Sequence, residues 1–313
     1  MSVHRSKETL SVKLTILGAG SAKPTKTLSP GSQVLQMCDK QFMIDCGEGT
    51  QINIARMSLR MPRLDNIFIS HLHGDHCFGL LGLLSTLGML GRTRSITIHA
   101  HKDMETMLRP LLEYFCEGMT YEVKFNHINP SRHEMIYEDR TLTVTSLPLK
   151  HKVPCCGFLF EEKQRLPHMR KDMIQAYDIP LTEIPKIKEG ADFMTADGRL
   201  IPNSSLTTPA TPPFRYAYCS DTAYHKRLAS WLQGVDCLYH EATFTEEFAS
   251  RCKDTMHSTA RQAAMTAKEA GVSKLIIGHF SSRITDRNTS LQEAKEVFEN
   301  TILAEERKTF VLS

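Results

Sequence analysis

Five short apolar stretches of this chain each run out onto a side chain able to bind a cation or move a proton. NIFISH ends at His71, TVTSLPLKH at His151, YAYCSD at Asp221, DCLYHE at His240 and Glu241, and KLIIGH at His279. A sixth, KLTILGAGS, runs into a glycine turn instead. Stretches of this length and composition read as strands. In α/β proteins ligands gather beyond the carboxyl ends of the strands, so residues far apart in the chain can converge on one site. Helical segments lie between them. Cys77 to Leu90 has leucines near helical spacing, Ser258 or Thr259 can cap ARQAAMTAKEA before Gly271, and SLQE from Ser290 reads as a capping box opening a helix through Phe298. The alternation predicts an α/β fold, with two halves alike in kind.

The densest chemistry lies in FISHLHGDHCFGLLGLL, residues 68 to 84, where His71, His73, Asp75 and His76 form HxHxDH. Zinc takes imidazole nitrogen and carboxylate oxygen. A tight turn after a strand can aim His71 and His73 at one ion while Asp75 and His76 reach a second. A single zinc would leave some of these groups idle, and two need more ligands, which His151, Asp221 and His279 can supply. Asp221 suits a bridging place because a carboxylate has an oxygen for each ion, with Ser220 and Thr222 beside it to fix its orientation. A lone distant histidine is ordinarily a satisfied core or surface residue, so the weight falls on the sum.

Composition excludes other classes. Hydrophobic residues make up 41% and charged residues 23% of the 313, and no apolar run reaches the 18 or more residues of a bilayer span, so no membrane partner is expected. The opening MSVHRSKETLSVKLTILG has no apolar export segment with a cleavage site, which predicts a cytoplasmic protein. Nine scattered cysteines without a CxxC pair read as reduced thiols, Cys77 as a packed residue rather than a ligand. A net charge of +3 rules out a strongly basic nucleic-acid coat, but not an enzyme that grips a structured nucleic acid on one patch. From about Lys163 to Pro213 the chain is polar, carries seven of the 14 prolines and has no sustained apolar period, so it reads as an insertion projecting from the core.

HxHxDH followed by distant His, Asp and His resembles the metallo-β-lactamase superfamily, whose fold is an αββα sandwich with a dinuclear zinc site along one edge. Further stretches narrow the likeness: ILGAGSAKPT (16–25), IDCGEGTQ (44–51), HKVPCCGFLFEEK (151–163), YCSDT (218–222), HEATF (240–244), HSTARQA (257–263) and IIGHFSSR (276–283). Together they resemble the ribonuclease Z family of tRNA 3′-end processing endonucleases, from about residue 12 to the last helix. HEATF with HST is the specific pair.

The resemblance implies one metallo-β-lactamase-like domain over 1–313 with an inserted, protruding arm at 163–213, and two zinc ions per subunit. His71, His73 and His151 would hold the first, Asp75, His76 and His279 the second, with Asp221 between them. Asp75 would also deprotonate the attacking water, and His257, oriented by Glu241, would protonate the leaving 3′-oxygen. The bland alternatives are a helix start for His257 and a cap or ion pair for Glu241; His240 is assigned to packing. The substrate would be precursor tRNA, cut to leave a 3′-hydroxyl, with the arm reaching across a homodimer to clamp the tRNA body. Lys163, Arg165, Arg170 and Lys171 are its candidate contacts. Lys26 and Arg283 are candidates near the cut, Gly18, Gly20, Gly47 and Gly49 make turns, and Arg92 and Arg94 read as solvated charges.

Two departures from the family stand out. The loop PTKTLS keeps Pro24 and Lys26 but has Leu28 and Ser29 where arginine and asparagine are expected, and the arm lacks the usual glycine-proline pair at DIPLTEIP. Two rival readings remain at this level: a small-molecule phosphodiesterase or glyoxalase-type hydrolase on the same fold, and a non-catalytic RNA-binding protein.

Overall fold

The computed structural model describes residues 11–313, so most of the stretch on which the export reading rests lies outside the described residues. Packing divides the chain into two compact units. One runs through Glu161 and resumes at Phe214; the other is Glu162–Pro213.

The larger unit is built on two seven-stranded sheets. The first has the order Lys308–Val311, Lys13–Gly18, Ser32–Met37, Lys40–Cys46, Leu64–Phe68, Ile96–Ala100, Val123–His127. Its first three pairings are antiparallel and its last three parallel. The second has the order Thr301–Leu303, Lys274–Gly278, Cys237–Glu241, Arg215–Cys219, Cys156–Glu162, Leu142–Pro148, Met135–Glu138. It is parallel from its first strand through Arg215–Cys219 and turns antiparallel at Cys156–Glu162.

The continuous apolar runs of the sequence follow from burial on both faces. Successive side chains of a strand point to opposite faces. In KLIIG, Ile276 enters an aromatic core between the sheets with Phe42, Phe68, Phe158 and Phe160, while Leu275 and Ile277 face the helices outside. The first sheet does the same, with Phe42 and Ile44 inward and Met43 outward. Helices Leu80–Met89 and Asp103–Phe115 cover the first sheet through Leu80, Leu83 and Leu84 and through Met104, Leu108 and Leu112, the latter at successive turns. Helix Ala260–Ala270 covers the second with a face of alanines, small enough for close approach. The layers are therefore helix, sheet, sheet, helix.

Thr259 caps that helix in a capping box with Gln262, and Gly271 closes it in the left-handed region at φ 65°. Two other helix expectations need correction. The segment from Cys77 is broken: a one-turn helix, Gly74–Cys77, ends before Leu80–Met89. Gly79 lies there so close to Gly47 that an added Cβ would come 2.1 Å from its carbonyl oxygen. The last helix opens at Arg287, not Ser290, and ends at Lys295, because Asp286 takes the cap by accepting from Asn288 N while Ser290 is buried inside. Arg92 is also not solvated. Its side chain is 8% exposed and paired with Asp65, which Arg94 also contacts.

The smaller unit, Glu162–Pro213, has two ribbons, His168–Met169 with Thr207–Thr208 and Phe193–Met194 with Leu200–Ile201, plus short helices. They close over Ile179, Ile187, Phe193, Ile201 and Leu206. These positions have no regular spacing, which is why no apolar period marks them.

Candidate metal centre

Strand Leu64–Phe68 leads through Ile69 and Ser70 to His71; His73 stands at the N-cap of the one-turn helix that carries Asp75 and His76. His151 follows strand Leu142–Pro148, Asp221 follows Arg215–Cys219, and His279 follows Lys274–Gly278 in the left-handed region at φ 61°. The two sheets bring all seven side chains together, in two groups.

In the first, His73 Nδ1 lies 3.0 Å from His71 Nε2 and 3.2 Å from His151 Nε2. Asp221 Oδ2 lies 3.5 Å from His71 Nε2 and 3.7 Å from His151 Nε2. In the second, His76 Nε2 and His279 Nε2 are 3.3 Å apart, each 3.5 Å from Asp75 Oδ2. The other oxygen of Asp221, Oδ1, is 3.5 Å from His76 Nε2 and 3.2 Å from His279 Nε2. Asp221 thus faces each group with one oxygen.

Four imidazoles are turned inward by what holds their outer nitrogen. His76 Nδ1 donates to Asp45 Oδ2 at 2.7 Å, His71 Nδ1 to Ser70 Oγ at 3.0 Å, His151 Nδ1 to the Met256 carbonyl at 3.0 Å and His279 Nδ1 to Thr243 Oγ1 at 2.9 Å. Asp45 is fully buried and also accepts from Ser70 N, Ser70 Oγ and Tyr218 Oη. Such partners fix the tautomer and raise ligand basicity. Asp45 and Thr243 escaped the sequence reading. Asp45 ends the apolar run FMID and lies inside IDCGEGTQ, as Thr243 lies inside HEATF, but neither stretch shows which imidazole its residue would hold.

Burial pushes the His71 imidazole down to about 4, with His76 adding to the effect, and burial lowers His73 and His151 as well. Neutral imidazole is the form a metal needs. Burial works against ionisation of Asp221 and Asp75 too, but the imidazoles around them outweigh it and hold both below the usual carboxylate range. Asp75 Oδ2 also accepts the Ala22 N–H at 2.7 Å.

A donor set of imidazole nitrogens and carboxylate oxygens with inner nitrogens facing one another at 3.0–3.3 Å suits zinc-type cations, and the buried Asp221 Oδ1 accepts no hydrogen bond. Ser220 and Thr222 do not supply one: the Ser220 hydroxyl meets Ser70, and Thr222 Oγ1 accepts from Lys150 N. The residues fit a metal. Cys77 stands apart, its sulfur 3.3 Å from the His73 carbonyl and its thiol pushed up to about 11 by burial.

Beside the centre, His257 Nδ1 donates to Glu241 Oε1 at 2.9 Å, and its Nε2 is 4.0 Å from Asp221 Oδ2. Glu241 is fully buried and accepts further from Thr222 N, Ser258 N, Thr243 N and Thr243 Oγ1. Burial alone would lower His257, but Glu241 overrides it and raises the imidazole to about 9. His240 is packed, its Nδ1 donating to the Glu241 carbonyl at 2.7 Å.

A cleft of about 620 Å³ opens onto the centre, and Arg283 lines it together with three cations the sequence reading passed over: Lys23, Lys152 and Arg251. Lys26 is exposed on the adjoining loop but does not line the cleft. That loop is anchored by Glu306, whose carboxylate accepts from Ser29 N at 2.5 Å and from Asn53 Nδ2 at 3.3 Å. Gly18 and Gly47 are needed for close approach: an added Cβ would meet Pro30 O at 1.8 Å and Asp75 O at 2.5 Å. Lys163, Arg165, Arg170 and Lys171 lie in the unit Glu162–Pro213, where Arg165 pairs with Glu162 and Arg170 with Asp172.

Comparison with known proteins gives the following. Residues 12–174 match the family model described as Anti-Pycsar protein Apyc1. A protein named ribonuclease Z from Parabacteroides distasonis is 53% identical over 293 residues, 94% of this chain and 96% of its own. Human tRNase Z, short form, superposes with a TM-score of 0.70 at 22% identity, covering 96% of this chain and 99% of that one. The metallo-β-lactamase fold protein YhfI from Bacillus subtilis superposes with a TM-score of 0.67 at 18% identity, covering 96% and 99%. The fold is that of the metallo-β-lactamases.

Proposed function

The chain belongs to the ribonuclease Z family, and over residues 12–174 to the sequence family described as Anti-Pycsar protein Apyc1; from that membership we propose an endoribonuclease that removes the 3′ trailer of tRNA precursors at the centre described above. The observation that carries the reading is the division of seven donors into two groups that share Asp221, with the His257–Glu241 pair beside them.

His71, His73 and His151 would hold one zinc and Asp75, His76 and His279 the other, Asp221 touching both. When bound, the pair supplies Lewis-acid charge against the phosphoryl oxygens and acidifies the water that attacks. The rest is the chain's own work. Asp75, held ionised and oriented by the Ala22 N–H, takes the proton of the attacking water. As the water oxygen bonds to phosphorus, the bond to the 3′-oxygen breaks. His257, an imidazolium at neutral pH, gives that oxygen its proton from Nε2 while Glu241 holds Nδ1. One water is consumed, leaving a 3′-hydroxyl on the tRNA and a 5′-phosphate on the trailer.

Lys23, Lys152, Arg251 and Arg283 would meet phosphates along the cleft. The unit Glu162–Pro213 holds seven Lys and Arg against seven Asp and Glu, a net charge of zero, so as a tRNA clamp it would act through placed contacts such as Lys163, Arg165, Arg170 and Lys171 rather than bulk charge. A homodimer is supported by helix Asp103–Phe115, which leaves Met107, Leu111, Tyr114 and Phe115 exposed. Nine free cysteines suit a reducing cytoplasm, and among the described residues no helix is long and apolar enough to cross a membrane.

The test is to incubate the protein with a trailer-bearing tRNA precursor, with and without chelator, and map the ends. One chelator-sensitive cut near the discriminator base is expected, with His257→Ala slowing it about 100- to 1000-fold at unchanged metal content. Hydrolysis of a chromogenic phosphodiester without tRNA processing would favour the small-molecule reading.

A further inference from the structure

Phe78 follows directly on the one-turn helix of the metal motif, lines the cleft beside His73 and Asp75, and is 74% exposed. A single exposed aromatic is ordinary on a protein surface, and what sets this one apart is its place in a polar, cationic cleft beside His73 and Asp75. Nor does the ring hang free. It is seated on Gly74, where an added Cβ would come 2.3 Å from Phe78 Cε2, 2.4 Å from Cζ and 2.7 Å from Cδ2. Only glycine in the second variable position of HxHxDH leaves room for the ring in this place. One side of the aromatic is thus fixed by the backbone that positions Asp75 and His76, and the remainder is open to the cleft.

We propose that Phe78 is the stacking platform for a nucleobase flanking the scissile phosphate. The inference rests on the endoribonuclease reading and deepens it. Phe78 lines the same cleft as Asp75, Lys152 and Arg283, so a substrate whose phosphate reaches Asp75 there would have its neighbouring base within reach of the ring. Aromatic rings take any base by its π face, tolerant of sequence, and hold it at little conformational cost when already fixed. The ring binds; it takes no part in proton transfer.

The experiment compares wild type with Phe78→Ala, Phe78→Trp and Phe78→Leu on two kinds of tRNA precursor: one intact, and versions abasic at the nucleotide on either side of the cut. Metal content is measured for every variant, so that loss of the centre is recognised. On the intact precursor Phe78→Ala is expected to lower kcat/KM about 10- to 100-fold, chiefly through KM, with Trp restoring it and Leu not. On one abasic version the wild type is expected to lose a similar factor, and Phe78→Ala to add less than about two-fold, because the partner it would stack on is already gone. Equal losses on base-bearing and both abasic precursors, or full activity with Leu, would overturn the proposal. A wild type that leaves the intact precursor uncut would overturn the ribonuclease reading itself.

Discussion

His99 and His71 are hidden from water to nearly the same degree, 3% and 1% exposed, yet the chain treats the two imidazoles in opposite ways. At His99 both nitrogens are matched: Nε2 donates to Asn66 Oδ1 and Nδ1 accepts from Asn126 Nδ2, each at 2.9 Å, and the ring stacks on Phe68 at 4.3 Å. At His71 the outer nitrogen is held by Ser70 Oγ, while the inner one has only other candidate ligands in reach, His73 Nδ1 at 3.0 Å and Asp221 Oδ2 at 3.5 Å. His76, His151 and His279 repeat that pattern. His99 has both nitrogens closed by core groups, whereas each of these histidines is braced from behind and meets only other candidate ligands in front. The cost of burying an unmatched polar atom is roughly 1–3 kcal/mol, and the buried Asp221 Oδ1, which accepts no hydrogen bond amid imidazole nitrogens that face one another, makes sense if a cation lies between them.

The largest expected effect is at the residue both groups share. Asp221→Asn keeps the shape but removes the charge that faces both groups. Cleavage is expected to fall at least about 1000-fold, roughly 4 kcal/mol of barrier, and bound metal to fall with it. Elemental analysis of the purified variant beside single-turnover cleavage checks this. Full metal content with full activity would dissolve the distinction between braced and closed histidines.

The brace comes next. Asp45→Asn leaves every candidate ligand in place but swaps the carboxylate behind His76 Nδ1 for an amide. Outer partners of this kind are worth about 10- to 100-fold in metal affinity. Competition against a fluorescent chelator should show a loss of that size in one of two binding steps, the group of His76 and His279, and a smaller one in the other, where Asp45 acts on His71 only through the Ser70 hydroxyl. An equal loss in both steps would mean that Asp45 supports the fold and not the ligand.

Much of this was legible because the chemistry sits where strands stop. Reading strand ends brought His71, His151, Asp221, Glu241 and His279 to notice, and the structure brings them onto one edge. Other features were closed to that reading for physical reasons. TIHAH looks like another strand running onto imidazoles, and only the cross-strand neighbours Asn66 and Asn126 show that His99 is satisfied. Asp45, Thr243 and the Met256 carbonyl act through partners 31, 36 and 105 residues away. The last strand, Lys308–Val311, pairs beside Lys13–Gly18, a closure that no local pattern encodes. The small core of Glu162–Pro213 likewise arises from residues without a period.

The smallest effect tests the closed histidine on its own terms. Burial lowers the His99 imidazole from 6.5 to about 4, while the unfolded chain keeps the ordinary value. Its folded pKa is depressed, so the unfolded state binds the proton more readily as pH falls. The contribution of His99 is therefore whole above about pH 6.5, declines as pH drops toward 4, and is constant below that. Between pH 7 and pH 5 this amounts to about 2 kcal/mol of stability lost by the wild type. Other groups of the folded chain also add to the pH dependence, so the useful quantity is a difference. His99→Gln cannot take the proton, and at pH 7 it should be the less stable protein because it forfeits the stack on Phe68 and one matched hydrogen bond. Denaturant unfolding of both proteins in the same metal-loaded state should show that gap shrinking by about 2 kcal/mol at pH 5. A gap that stays constant would place the proton elsewhere and show that burial does not depress the His99 imidazole.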